Sequence, residues 1–187
     1  MNLNVVFYHS STAMSELKDN SVDLIITSPP YFNIKDYAKN GYQNATHSKS
    51  IKGDLGALND YESYISELLK VWRECERVLK PNAKLCINVP LMPMLKKDFN
   101  THYNRHIFDL QSDIQHSILE RTGLFLLDMY IWNRTNSTKK LMFGSYPYPR
   151  NFYAQNTTEF ISIFVKDGKP RNDISQEIKE ESKLSQD

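Results

Sequence analysis

Val22-Asp23-Leu24-Ile25-Ile26-Thr27-Ser28-Pro29-Pro30-Tyr31-Phe32 decides how this chain is read. The apolar run from Val22 to Thr27 predicts a buried strand, and Ser28-Pro29-Pro30 cuts it off. Neither proline can donate a ladder hydrogen bond, and each restricts the residue before it to extended geometry. The chain therefore leaves the sheet in a stiff loop at the carboxyl end of a strand, the edge where open α/β sheets bind ligands. That loop presents the Ser28 hydroxyl, prolyl carbonyls and two adjacent rings, Tyr31 and Phe32. It can accept hydrogen bonds from an NH2 group while a ring stacks on the flat molecule carrying that group.

Upstream, Asn4 to Tyr8 is β-branched and aromatic and predicts a short buried strand. His9-Ser10-Ser11 follows as a loop, and Thr12 to Lys18 predicts a short helix with Ala13, Met14 and Leu17 on one side. Strand, helix and strand together predict the start of a parallel sheet. Downstream, residues 33–59 have no clear period and predict a long polar loop, either functional or simply solvated. Asp60 to Leu79 is the clearest helix, with Tyr61, Tyr64, Ile65, Leu68, Leu69, Trp72, Cys75 and Leu79 at helical spacing. Asn59 or Asp60 can cap it, with Glu62 as capping-box partner of Asn59. Lys84 to Val89 predicts a strand stopped by Pro90, and residues 91–106 a basic, irregular connection. Ile107 to Thr122 predicts a second helix with Ile107, Leu110, Ile114, Ile118 and Leu119 inward and Gly123 as its stop. Leu124 to Trp132 and Thr158 to Lys166 predict strands, the latter antiparallel to its neighbour. Residues 173–187 are polar and predict a solvated helix or linker.

At 187 residues, 40% hydrophobic and 24% charged, the chain suits one domain with a real core. Its net charge of +1 excludes a globally basic surface, so any face for nucleic acid is local or supplied by a partner. Cys75 and Cys86 lie in apolar segments and read as buried free thiols, and the five histidines show no zinc-ligand spacing. No metal site is expected. No apolar run approaches the length of a membrane span and no signal peptide opens the chain, so the expected location is cytoplasmic.

Thr27-Ser28-Pro29-Pro30-Tyr31 at the end of a hydrophobic strand resembles the catalytic motif of the DNA amino-methyltransferases, and Met14 to Tyr31 resembles their opening segment almost continuously. Arg77 to Val89 is similar to their helix–turn–strand, and Ile131-Trp132-Asn133-Arg134 to a second motif lining their base pocket. The resemblance implies a partial Rossmann-like methyltransferase fold of the α/β class: a mostly parallel sheet, flanking helices and an antiparallel strand. It implies S-adenosylmethionine as cofactor, double-stranded DNA as partner, and the exocyclic amine of a base as target. Serine at the first motif position favours cytosine N4 over adenine N6.

The resemblance assigns catalysis to Ser28, Pro29, Pro30 and Tyr31, and substrate contact to Phe32, Trp132 and Asn133. Residues 133–157 alternate aromatics with Pro, Gly, Asn and basic residues, where the family places target recognition. Lys139, Lys140 and Arg150 are the phosphate candidates there, and Asn151 and Gln155 the base-edge candidates. Lys35, Tyr37, Lys39, Tyr42, Lys49 and Lys52 fall where the family closes a loop over its target. Cofactor contacts are expected from Ser28 and from Ser10 and Ser11, although this loop lacks the acidic residue the family often carries. None of the six glycines forms the family's glycine-rich cofactor turn. The chain is thus expected to hold the catalytic and recognition half (residues 1–166, then a polar tail, 167–187). A second polypeptide or missing C-terminal half would hold the cofactor. A non-catalytic DNA-binding module and an inactive fragment are the competing readings. The apolar edge of a half-sheet should make the lone chain associate.

Overall fold

The computed structural model describes residues 4–32, 54–58, 60–95, 102, 105–134, 157–170 and 174–184. Among these the order is β1 (Val22–Thr27), a 3-10 turn (Leu55–Ala57), α1 (Tyr61–Val78), β2 (Leu79–Pro90), β3 (Met92–Leu95), β4 (Arg105–Phe108), α2 (Leu110–Arg121), β5 (Leu124–Asn133), β6 (Thr158–Lys166) and α3 (Gln176–Leu184).

Asp60 starts α1 from an extended conformation, its carboxylate accepting the Ser63 amide at 2.8 Å. Tyr64, Leu68, Val71, Trp72, Cys75 and Val78 recur at helical spacing and form its buried face. The helix turns directly into β2 at Leu79, where Lys166 Nζ donates to the Glu76 and Leu79 carbonyls and to Asn20 Oδ1. One lysine thus serves carbonyls that the helix end leaves without intrahelical donors. Asn82 adopts positive φ in a bulge on β2. Gly168, at φ +151°, packs against the same corner: a Cβ there would meet Pro81 Cβ at 2.3 Å.

The main sheet has the order β1-β2-β6-β5. β1 and β2 are parallel, whereas β2–β6 and β6–β5 are antiparallel. The sheet is therefore mixed, with a single parallel pair among the described residues where a mostly parallel sheet was expected. Leu85, Ile87, Val89 and Phe164 point into a core shared with α1 and α2. The burial of Cys75 there pushes its thiol pKa up to about 12, so it is inert. Cys86, on the opposite face, is only half-buried.

Five sequence expectations change. Asn4 to Tyr8 forms no strand and its apolar side chains are exposed, because no neighbouring strand among the described residues offers a ladder. Thr12 to Lys18 forms turns and not a helix; Arg77 holds it by donating to the Met14 and Leu17 carbonyls, while Glu74 accepts the Met14 amide. The connection after Pro90 contains the antiparallel β3–β4 pair. Ile107 belongs to β4 and is exposed, because Asp109 caps α2 at Ser112 and delays its start to Leu110; Leu119 is also exposed. β1 forms as expected but is not buried: it lies at the sheet edge with Ile26 74% exposed.

The clamp on Met14 carries a pH signature. Hydrogen bonds from Arg77 and from the Met14 amide lower the Glu74 pKa below its ordinary 4.5. A depressed folded-state carboxyl contributes stability above its unfolded pKa and loses it as pH falls through the folded value. The melting temperatures of wild type and Glu74→Gln should therefore converge between about pH 5 and pH 3. A constant gap across that window would contradict the clamp.

Candidate active site

β1 ends at Thr27, and the next residues form an open corner. Ser28 is exposed, Pro29 is buried, and Pro30 and Tyr31 are half-buried. The Ser28 hydroxyl and the Tyr31 hydroxyl lie 2.7 Å apart in a hydrogen bond that either can donate. If Tyr31 donates, Ser28 Oγ keeps acceptor capacity for a guest. Tyr64, fully buried on α1, donates its hydroxyl to the Pro30 carbonyl at 2.9 Å. That carbonyl is thereby tied to the core. Gly56 lies beneath the loop, where a Cβ would come within 2.9 Å of the Tyr31 carbonyl oxygen. Asp54 fixes this turn by accepting the Gly56 amide.

Tyr64 and Gly56 are positioning residues that the sequence reading missed. Tyr64 was read as core packing, and nothing in its helical spacing marks a hydroxyl aimed 34 residues back. Phe32, expected to contact substrate, is 6% exposed, with its ring 5.5 Å from those of Tyr61 and Tyr64. Its burial anchors the loop and turns the ring away from any guest at Ser28. Tyr61 in turn donates to Asp113 of α2 at 2.6 Å, and burial together with that carboxylate raises its pKa strongly.

Trp132 and Asn133 close β5 at the same sheet end as Ser28 and are exposed. Three strand spacings, about 14 Å in a flat sheet, separate β5 from β1. A polar network centred on one buried carboxylate reaches from β2 to the end of β5. Glu159 on β6, 5% exposed, accepts Asn88 Nδ2 of β2 at 2.7 Å and pairs with Arg134 just past β5. Two donors on one carboxylate offset the cost of burying it. Asn88 follows Ile87, the register partner of Thr27, so it stands beside Ser28.

Ser10, a cofactor candidate, uses its hydroxyl locally with Thr12 Oγ1 and the Thr12 amide, and Ser11 is exposed beside it. The three described glycines have other surroundings: Gly56 lies under the loop, the Gly123 amide donates to Glu76, and Gly168 packs on Pro81. None forms a glycine-rich turn after a strand, so the described residues do not fit a cradle for S-adenosylmethionine. Lys139, Lys140, Arg150, Asn151 and Gln155 lie outside the described residues, as do the candidates between Lys35 and Lys52. Among the described residues no cluster of His, Cys, Asp and Glu could hold a metal ion. Likewise no described helix is long and apolar enough to cross a membrane.

The N6_N4_Mtase family model, described as DNA methylase, matches residues 22–187, a range that includes this corner. The chain belongs to that family. Among curated proteins, this DNA methylase family member is 29% identical over 174 residues to the type II methyltransferase M.MthZI of Methanothermobacter thermautotrophicus. That match covers 92% of the chain and 47% of the relative. It is 27% identical to M.MjaI of Methanocaldococcus jannaschii, covering 89% and 56%. Among solved structures, a candidate DNA modification methylase from Thermus thermophilus, complexed with S-adenosyl-L-methionine, is 28% identical. Its TM-score is 0.63, with 90% of this chain and 54% of that one covered. The cytosine-N4-specific PvuII DNA methyltransferase shares the fold at 15% identity, with a TM-score of 0.53. This family member thus spans about half the length of the relatives it matches.

Proposed function

We propose that this chain is the target-binding half of an enzyme that methylates the exocyclic amine of a base in double-stranded DNA, cytosine N4 in preference to adenine N6. S-adenosylmethionine is the methyl donor in this reading, as the complexed Thermus thermophilus relative suggests. The donor is held by a second polypeptide or C-terminal half with the glycine-rich turn, because the described residues provide no such turn. The observation that carries the reading is the corner at Ser28–Tyr31, with Ser28 exposed at the end of a strand and the loop behind it backed by Tyr64 and Gly56.

The chemistry follows from the target. An exocyclic NH2 is a poor nucleophile because its lone pair is delocalised into the ring. Ser28 Oγ and the Pro29 carbonyl accept its two hydrogens and return electron density to nitrogen. This is orientation and electrostatic stabilisation without a covalent enzyme intermediate. A paired base cannot reach such a corner, so it leaves the duplex and Tyr31 stacks on it.

In the same reading residues 1–166 are the catalytic half and 167–187 a polar tail. Within that half, residues 133–157 recognise the target. Lys139, Lys140 and Arg150 neutralise phosphates, Asn151 reads a base edge, and Trp132 and Asn133 flank the site. The enzyme works in the cytoplasm, beside DNA. Mass spectrometry of nucleosides from DNA treated with the complete enzyme tests the target: N4-methylcytosine is expected. N6-methyladenine alone would reverse the preference, and no methylated base would refute the activity.

A further inference from the structure

Among the described residues Glu159 is the one charged side chain that is buried. Register sets Trp132 of β5 directly opposite it, and strand alternation puts Asn88 of β2 on the same face. Arg134 follows two residues after Trp132. Its amide donates to the Thr157 carbonyl at 2.7 Å, so the ladder runs one residue past β5 and keeps Arg134 on that face too. Arg134 Nη1 donates to Glu159 Oε1, and among the described residues no other acceptor meets its guanidinium. The arginine side chain stays 47% exposed although its partner is buried. Such a pair adds little net stability, because desolvating two charges cancels most of their attraction. What it supplies is orientation. Asn88 holds one oxygen of Glu159, and the other oxygen holds one edge of a planar fork with five donors. The remaining donors are left for a group outside the sheet.

We propose that Arg134 binds the backbone phosphate of the extruded target nucleotide, and that Glu159 is the positioning residue that aims it. Three observations point to a phosphate. The free edge of the guanidinium offers donors in the fork geometry that phosphate oxygens accept two at a time. Arg134 reaches across to Glu159 on β6, which places its charge two strand spacings, ~10 Å, from β1. That span is comparable with the reach of a nucleotide from its exocyclic amine to its phosphate. A base with its amine at Ser28 therefore brings its phosphate level with Arg134. Finally, the chain carries a net charge of only +1, so its hold on phosphates rests on single cations fixed in place and not on a broadly basic surface. This inference rests on the reading that a base is extruded to Ser28, and it adds the contact that holds the sugar–phosphate end of that nucleotide.

The test measures binding of the complete enzyme to duplexes in which one phosphate flanking the target nucleotide is replaced by an uncharged methylphosphonate. One such replacement should weaken binding by wild type about tenfold. Arg134→Gln should bind the modified and unmodified duplexes equally, both at that weaker level, and its slope of log affinity against log salt should be shallower by about 1. Arg134→Lys should keep the slope and lose part of the affinity, because a point charge lacks the fork. Glu159→Gln removes a negative charge, which by itself would tighten binding to DNA. Loss of aim predicts the reverse, weaker binding and a smaller methylphosphonate penalty. The double variant Arg134→Gln/Glu159→Gln leaves no unpaired buried charge, so it reports on the phosphate contact even where a single variant fails to fold. Equal methylphosphonate penalties in wild type and in the double variant would overturn the phosphate contact. Tighter binding by Glu159→Gln with the full penalty retained would overturn the positioning role. An enzyme that methylates DNA without this coupling defeats the inference alone. One that shows the coupling yet leaves DNA unmethylated defeats the enzymatic reading and leaves the contact standing.

Discussion

Ser28→Ala slows single-turnover methyl transfer by the complete enzyme about a hundred- to a thousandfold, the usual loss when one pre-oriented polar group at a reacting centre is removed. Binding of DNA should change little, because in the proposed reading the hydroxyl meets the amine and not the phosphates. The structure adds a control. Ser28 Oγ and Tyr31 OH share a 2.7 Å hydrogen bond, so Tyr31→Phe keeps the ring and removes the hydroxyl. Tyr31→Phe should therefore cost much less than Tyr31→Ala, which removes the stacking surface as well. Equal losses in the two tyrosine variants would place the role of Tyr31 in its hydroxyl. A Ser28→Ala enzyme at full rate would remove Ser28 from the mechanism.

Trp72→Ala should destabilise the chain by about 3–5 kcal/mol, measured by urea unfolding. Trp72 is 1% exposed at the middle of the buried face of α1, among the largest fully buried side chains. Truncation removes its contacts and leaves a cavity that the sheet and α2 cannot both close. Its indole N–H has no hydrogen-bond partner among the described residues. Trp72→Phe removes that unsatisfied donor while keeping an aromatic ring, so it should cost far less than the alanine variant. A loss near that of alanine would mean the indole is needed for its shape alone.

The elements that were legible are those whose pattern is written in consecutive residues, whatever they later pack against. The 3.6-residue spacing of Tyr64, Leu68, Trp72 and Cys75 announces α1, and the apolar runs at Val22 and Thr158 announce β1 and β6. Asn4–Tyr8 has the composition of a strand, yet a strand exists only with a neighbour, which composition cannot report. The start of α2 was missed because Ile107 continues an apolar period across the Asp109 cap. At the site, Ser28-Pro29-Pro30-Tyr31 was readable because prolines fix local geometry. The bond from Tyr64 to Pro30, the fit of Gly56 beneath Tyr31 and the pairing of Glu159 with Asn88 join residues 25 or more apart in sequence. Only the folded sheet brings those groups together. Phe32 shows the same limit from the other side: adjacency to Tyr31 suggested a shared role, and nothing local in the sequence says that its ring packs into the core.

The central claim is that an extruded base lies against Tyr31 with its amine at Ser28. Photo-cross-linking with DNA carrying 5-iodocytosine at the target position tests it most directly, since the iodinated base couples to an aromatic ring stacked on it. The account predicts that the complete enzyme cross-links through Tyr31 and that Tyr31→Ala abolishes the adduct. An adduct confined to another residue, undiminished by Tyr31→Ala, would contradict it.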